Sequence, residues 1–115
     1  MTTQVESRLS RNIMRDLRAT GVFCFKVHGG PTMMAGLPDI IACVDGYFVG
    51  FETKMPDERD NVSVRQTYVH TQIREAQGVA IVVCSPQEAL KIIQEIRDNR
   101  AHKSGRKRIS RSPTD

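Results

Sequence analysis

The chain has 115 residues and a formal net charge of +4, with 39% hydrophobic and 26% charged residues. That is the composition of an ordinary globular protein with one modest core. It holds no apolar run of about 18 residues to span a membrane and no charged-then-apolar leader, so the cytoplasm is the expected location.

Thr3-Gln4-Val5-Glu6 has the form of a capping box and predicts a helix from about residue 4. Val5, Leu9, Ile13 and Leu17 follow at helical spacing, and Gly21 is its stop. Residues 22–27 read as a strand from their β-branched and aromatic content. Residues 28–37 contain Gly29, Gly30, Pro31 and Gly36 and predict a loop. Next comes a hairpin, residues 38–44 and 47–53, around Asp45-Gly46, a two-residue signal for a type I′ turn. Residues 55–62 are charged, contain Pro56 and lack periodicity, so a mobile loop is expected. Ser63-Val64-Arg65-Gln66 is a second capping box, opening a helix that Gly78 is expected to end. Residues 79–84 are continuously apolar and predict a strand buried on both faces. Ser85-Pro86 starts a last helix with Ala89, Leu90, Ile93 and Ile96 on its stripe. The order is α-β-β-β-α-β-α, and the helix between the last two strands allows a parallel crossover. The expected fold is α/β, a mixed sheet with helices on its faces.

The three cysteines, Cys24, Cys43 and Cys84, each lie in a strand-like run and read as reduced core thiols. Neither they nor the histidines have zinc-ligand spacing. Six of the 17 basic residues lie within residues 100–111, with no acid among them. Residues 1–99 are therefore expected to form one near-neutral domain. Residues 100–115 are expected to form a basic, disordered tail, with Arg106, Lys107 and Arg108 able to follow phosphates.

The chemistry concentrates at Pro38-Asp39 and at Glu52-Thr53-Lys54, thirteen residues on. With Asp45-Gly46 as the turn, the register sets Asp39 opposite Glu52. Directly opposed residues hold their Cβ atoms about 5 Å apart, and like charges there are destabilising. A divalent cation between them is the simplest reason for such a pair. Lys54, two residues past Glu52, points to the same face. Two carboxylates and an ammonium on one sheet face suit a metal-dependent phosphodiesterase.

This arrangement resembles the PD-(D/E)XK nuclease superfamily, and within it the VRR-NUC type. The matching residues are Glu6 in the first helix, Gly36 with Pro38-Asp39, Glu52 with Lys54, Gln66 and Gly78, over roughly residues 4–84. The resemblance implies a restriction-endonuclease-like αβββαβ core, and small single-domain members of this type are typical of phages. It implies a magnesium-dependent (or manganese-dependent) endonuclease that cuts branched DNA such as a Holliday junction, working as a homodimer. Asp39, Glu52 and the Thr53 carbonyl would bind the metal, and Lys54 would orient water or stabilise charge on the phosphate. Glu6 would be an extra acid near the metal, or only the capping partner of Thr3. Gln66 would bond water or phosphate, or only cap Ser63. Lys26, Gly29, Gly30 and Arg74 are further candidates for contact with DNA, whereas His70 is expected to be a partly exposed helix residue. A sequence-specific restriction-like nuclease or nickase is one alternative, and a non-catalytic nucleic-acid-binding protein using the basic tail is another.

Overall fold

The computed structural model describes residues 4–102, with side chains to residue 100. Thr3 and the basic residues Arg106, Lys107 and Arg108 lie outside the described residues. The order is α1 (Gln4–Ala19), β1 (Phe23–Lys26), β2 (Ile40–Val44), β3 (Tyr47–Thr53), a 3-10 turn (Pro56–Glu58), α2 (Val64–Glu75), β4 (Val79–Val83) and α3 (Pro86–His102).

Helix α1 buries Ser10, Ile13, Met14 and Leu17, while Leu9 packs against the core from its edge. Val5 is exposed, so the expected stripe holds only from the second turn onward. The helix ends in a Schellman motif: the Val22 amide donates to Leu17 O and the Gly21 amide to Arg18 O. Gly21 takes φ +85°, a conformation that glycine adopts without steric cost.

The hairpin has the expected register, from Val44 opposite Tyr47 to Ile40 opposite Phe51. Asp45 and Gly46 have φ +52° and +91°, the type I′ signature. Strands lie in the order β1-β2-β3-β4, antiparallel except for the β3–β4 pair. The fold is thus a mixed four-stranded sheet flanked by helices. The parallel pair is joined through α2, whose end is a second Schellman motif. Here the left-handed residue is Gln77 (φ +75°), one position before the expected Gly78. Gly78 serves packing instead, since a Cβ there would meet Ile73 Cγ2 at 2.8 Å.

One face of the sheet carries the core. Ala42, Val44, Val49, Phe51 and Val83 pack with Ile13, Leu17, Ala89 and Ile93 of α1 and α3. On the other face α2 packs against β4. Over β1 and β2 that face stays open: Phe23 is 70% exposed, Phe25 and Phe48 each 46%, and Cys43 is exposed. Cys43 is therefore not the core thiol expected from its apolar run, because the helix that would cover it lies over the opposite half of the sheet. Strand β4 forms the other edge and is only partly buried, not enclosed on both sides as expected.

Residues 55–62, expected to be a mobile loop, hold a 3-10 turn and are tied down by the ion pair of Arg59 with Glu88 at the start of α3. The last helix runs past the expected boundary at residue 99. Arg100 belongs to it and, with Arg97, holds Asp45 of the hairpin turn. The long loop between β1 and β2 is pinched at its neck by the Val27 amide donating to Asp39 O at 2.8 Å.

Candidate active site

Asp39 stands one residue before β2, at the position that extends the hairpin ladder toward Glu52. Two close approaches fix it there. Pro38 packs against Gly50 of β3 so tightly that a Cβ on Gly50 would lie 2.5 Å from Pro38 Cγ. Gly36 (φ +86°) brings the loop onto the start of α2, where a Cβ would lie 2.8 Å from Arg65 O. The glycines flanking the Pro-Asp pair thus let two backbones meet. Asp39 Oδ2 then accepts from both the Thr53 amide and the Thr53 hydroxyl at 2.8 Å. Such double donation fixes a carboxylate's orientation.

Glu52 follows Phe51 on β3 and points to the opposite face, toward α2. It is 2% exposed, and its Oε1 lies 3.4 Å from Nε2 of His70, itself 3% exposed. Neither atom has a hydrogen-bond partner. Burial, then the hydrogen bond and charge of Asp39, push the Glu52 carboxyl up to about 9, with Lys54 and Lys26 pulling against the shift. Burial, then the positive charge of Arg74, lowers His70. At neutral pH both are therefore neutral, and Glu52 holds a proton beside Asp39. Close carboxyls that share a proton suit a hard cation, which would replace that proton. Among the described residues no three His, Cys, Asp or Glu side chains converge as a ligand cluster. Two carboxylates, with water and substrate oxygens completing the shell, fit magnesium, which retains waters and takes few protein ligands.

A polar chain continues from Asp39 into the other face. Thr53 Oγ1 meets Ser10 Oγ at 3.2 Å, and Lys26 Nζ donates to the same serine at 3.2 Å. Lys26, expected to touch DNA, thus stands at the rim of the carboxylate site. Ser10 was not foreseen, although a serine on the buried side of α1 was a readable signal. Glu6 is half-buried, one turn before Ser10 on the same helix face. Lys54 is half-buried, and its amide extends the β3–β4 pairing by donating to Val83 O.

Other expected residues are engaged elsewhere. Gln66 closes the capping box: its Oε1 accepts from the Ser63 amide while Ser63 Oγ accepts from the Gln66 amide. No hydrogen bond joins it to the carboxylates. Arg74 donates twice to Ala80 O and so fastens α2 to β4. His70, expected to be partly exposed, is the buried contact of Glu52. Gly29 and Gly30, with Met33, Met34, Leu37 and Asp39, line a cleft of about 340 Å³. Bare backbone there leads to the Asp39 carboxylate.

No family model matches the chain, and no curated protein does. Among solved structures it is similar to Hjc, a Holliday junction resolvase from the archaeal hyperthermophile Archaeoglobus fulgidus, at 19% identity and a TM-score of 0.47. The match covers 69% of this chain and 67% of that one.

Proposed function

We propose that the protein is a divalent-cation-dependent endonuclease of the PD-(D/E)XK superfamily, VRR-NUC type, that hydrolyses DNA phosphodiester bonds. The observation that carries this reading is the buried Glu52 carboxyl beside a half-buried Asp39 fixed by Thr53, at a glycine-lined cleft. Purely structural acids seldom sit buried against each other, because their mutual repulsion costs stability. Asp39, Glu52 and the Thr53 carbonyl would hold magnesium or manganese. When bound, the cation polarises the phosphate and lowers the pKa of a bound water. Lys54, on the face of Glu52, offers an ammonium to the charge that grows on the phosphate oxygens. Thr53 keeps Asp39 aimed, Lys26 adds positive charge at the rim, and Glu6 is an outer acid one turn from Ser10. The glycine-rich loop admits the DNA backbone, and the basic residues Arg106, Lys107 and Arg108 add affinity from outside the catalytic domain.

Branched DNA is the proposed substrate, with a four-way junction as the type case. A junction has two scissile strands and the chain has one site, so symmetric cutting calls for a homodimer. The open aromatic face supports pairing. Phe23, Phe25 and Phe48 there present roughly 240–400 Å² of ring surface, at about 150–250 Å² per fully buried ring. That is enough for the core of an interface. The one cation of these strands, Lys26, points to the other face toward Ser10, so this surface suits a second copy rather than phosphate.

Cleavage of a labelled four-way junction beside linear duplex and single strand tests the substrate class. Junction-selective nicks at symmetric positions are expected. Cutting that follows a base sequence would favour a restriction-like enzyme or nickase. Binding without cutting in magnesium and manganese would favour a binding protein.

A further inference from the structure

We infer that His70 is a positioning residue that determines which oxygen of Glu52 is offered to the bound cation. The inference rests on the nuclease reading and deepens it at one side chain. The two carboxylates of the site are anchored in parallel ways. Asp39 has one oxygen, Oδ2, taken by the Thr53 amide and hydroxyl, which leaves Oδ1 over. Glu52 has one oxygen, Oε1, beside His70 Nε2 at 3.4 Å, which leaves Oε2 over. Each anchor engages one oxygen and leaves the other for a ligand.

The burial of this contact makes it more than packing. The two side chains are 4% and 2% exposed, so no bulk water reaches the orphaned atoms. A buried donor and a buried acceptor each lose their hydration, and they recover it only by closing the short gap between them. The gap closes when Glu52 is an anion held by a cation, because a carboxylate accepts a shorter, stronger bond from an imidazole N–H than a neutral acid does. His70 lies on α2, which Arg74 fastens to β4 through Ala80 O, so the imidazole sits on a fixed support. Partners outside the ligand shell that orient metal ligands change metal affinity about 10–100-fold when removed.

The test measures Mn²⁺ binding to the DNA-free protein, with free Mn²⁺ followed by electron paramagnetic resonance. The variants are His70→Gln, His70→Asn, His70→Leu and, as a site control, Asp39→Asn. The glutamine amide nitrogen reaches the position of the imidazole Nε2, whereas the asparagine amide reaches only that of Nδ1. His70→Gln is expected to bind Mn²⁺ within a few-fold of the unsubstituted protein. His70→Asn and His70→Leu are expected to bind about 10–100-fold more weakly while still melting cooperatively in EDTA. If His70→Leu does not fold, the Gln–Asn comparison carries the test alone, since both are polar amides in the same burial. Equal binding by the Gln and Asn variants, or undiminished binding by Leu, overturns the positioning role. If the unsubstituted protein and Asp39→Asn bind Mn²⁺ alike, the metal reading of the site fails as well, a result distinct from failure at His70 only.

Discussion

Replacing Glu52 by glutamine should make the protein more stable in EDTA above neutral pH and remove a pH dependence that the natural chain shows. In the fold this carboxyl is pushed up to about 9, first by burial and then by Asp39. Unfolded, it returns to about 4.3. A carboxyl raised in this way leaves stability intact below its unfolded pKa and withdraws it as pH climbs toward the folded value. The limiting slope for one proton is about 1.4 kcal/mol per pH unit. His70 acts in the opposite sense: its lowered pKa means stability is lost as pH falls through about 6.5 and below. The two slopes oppose each other in mild acid, so the Glu52 slope emerges above about pH 6.5. From there to pH 8.5 the loss is on the order of 2 kcal/mol, or about 10 °C in melting temperature for a domain of this size. Glutamine has no proton to lose and can still donate to Asp39 and accept from His70. Thermal melts in EDTA at pH 6.5, 7.5 and 8.5 should show the natural protein falling while Glu52→Gln stays level. Mn²⁺ should restore the natural protein at pH 8.5 and leave the variant where it is. Parallel pH curves for the two proteins would mean that Glu52 is not the proton-holding group.

Gly50→Ala should destabilise by about 1–3 kcal/mol, since its Cβ must displace Pro38. It should also lower cleavage by moving Asp39, whereas Gly30→Ala, which meets nothing within 4 Å, should leave stability unchanged by denaturant titration. Gln77→Gly should stabilise by about 1 kcal/mol by relieving the left-handed conformation at the end of α2; an unchanged urea midpoint would contradict this. Phe23→Lys with Phe25→Lys, at rings exposed on the single chain, should shift the protein from dimer to monomer in light scattering and remove the concentration dependence of its melting temperature. A dimer unaffected by these changes would place the interface elsewhere.

The sequence discloses most where the determinants are local. Asp45-Gly46 set the hairpin turn, and alternation from that turn fixed the register that brings Asp39 toward Glu52. Gly21 marked the end of α1 because its left-handed conformation is almost a glycine preserve. The same rule missed at α2, where Gln77 takes that conformation and Gly78 is required by Ile73 instead. What stayed hidden depends on which half of the sheet α2 covers. Cys43 and Phe48 sit in apolar strands yet face solvent, and His70, unremarkable on a helix with a weak apolar stripe, is buried on Glu52. Gln66 shows the limit of motif spacing. Three residues from Ser63 is both a capping distance and the place of a site residue in the pattern the sequence resembles, and in the fold its amide caps the helix. Ser10 is the converse: its hydroxyl joins α1 to Thr53 and Lys26, a contact between elements far apart in the chain.

DNA cleavage by this chain should depend on a cation at Asp39 and Glu52. The most direct measurement is single-turnover cleavage of a labelled four-way junction in magnesium, in manganese and in EDTA, comparing the natural chain with Asp39→Asn and Lys54→Ala. Cleavage is expected in either metal, none in EDTA, and losses of at least about 100-fold in both variants with junction binding kept. Full cleavage by Asp39→Asn, or undiminished cutting in EDTA, would contradict that dependence.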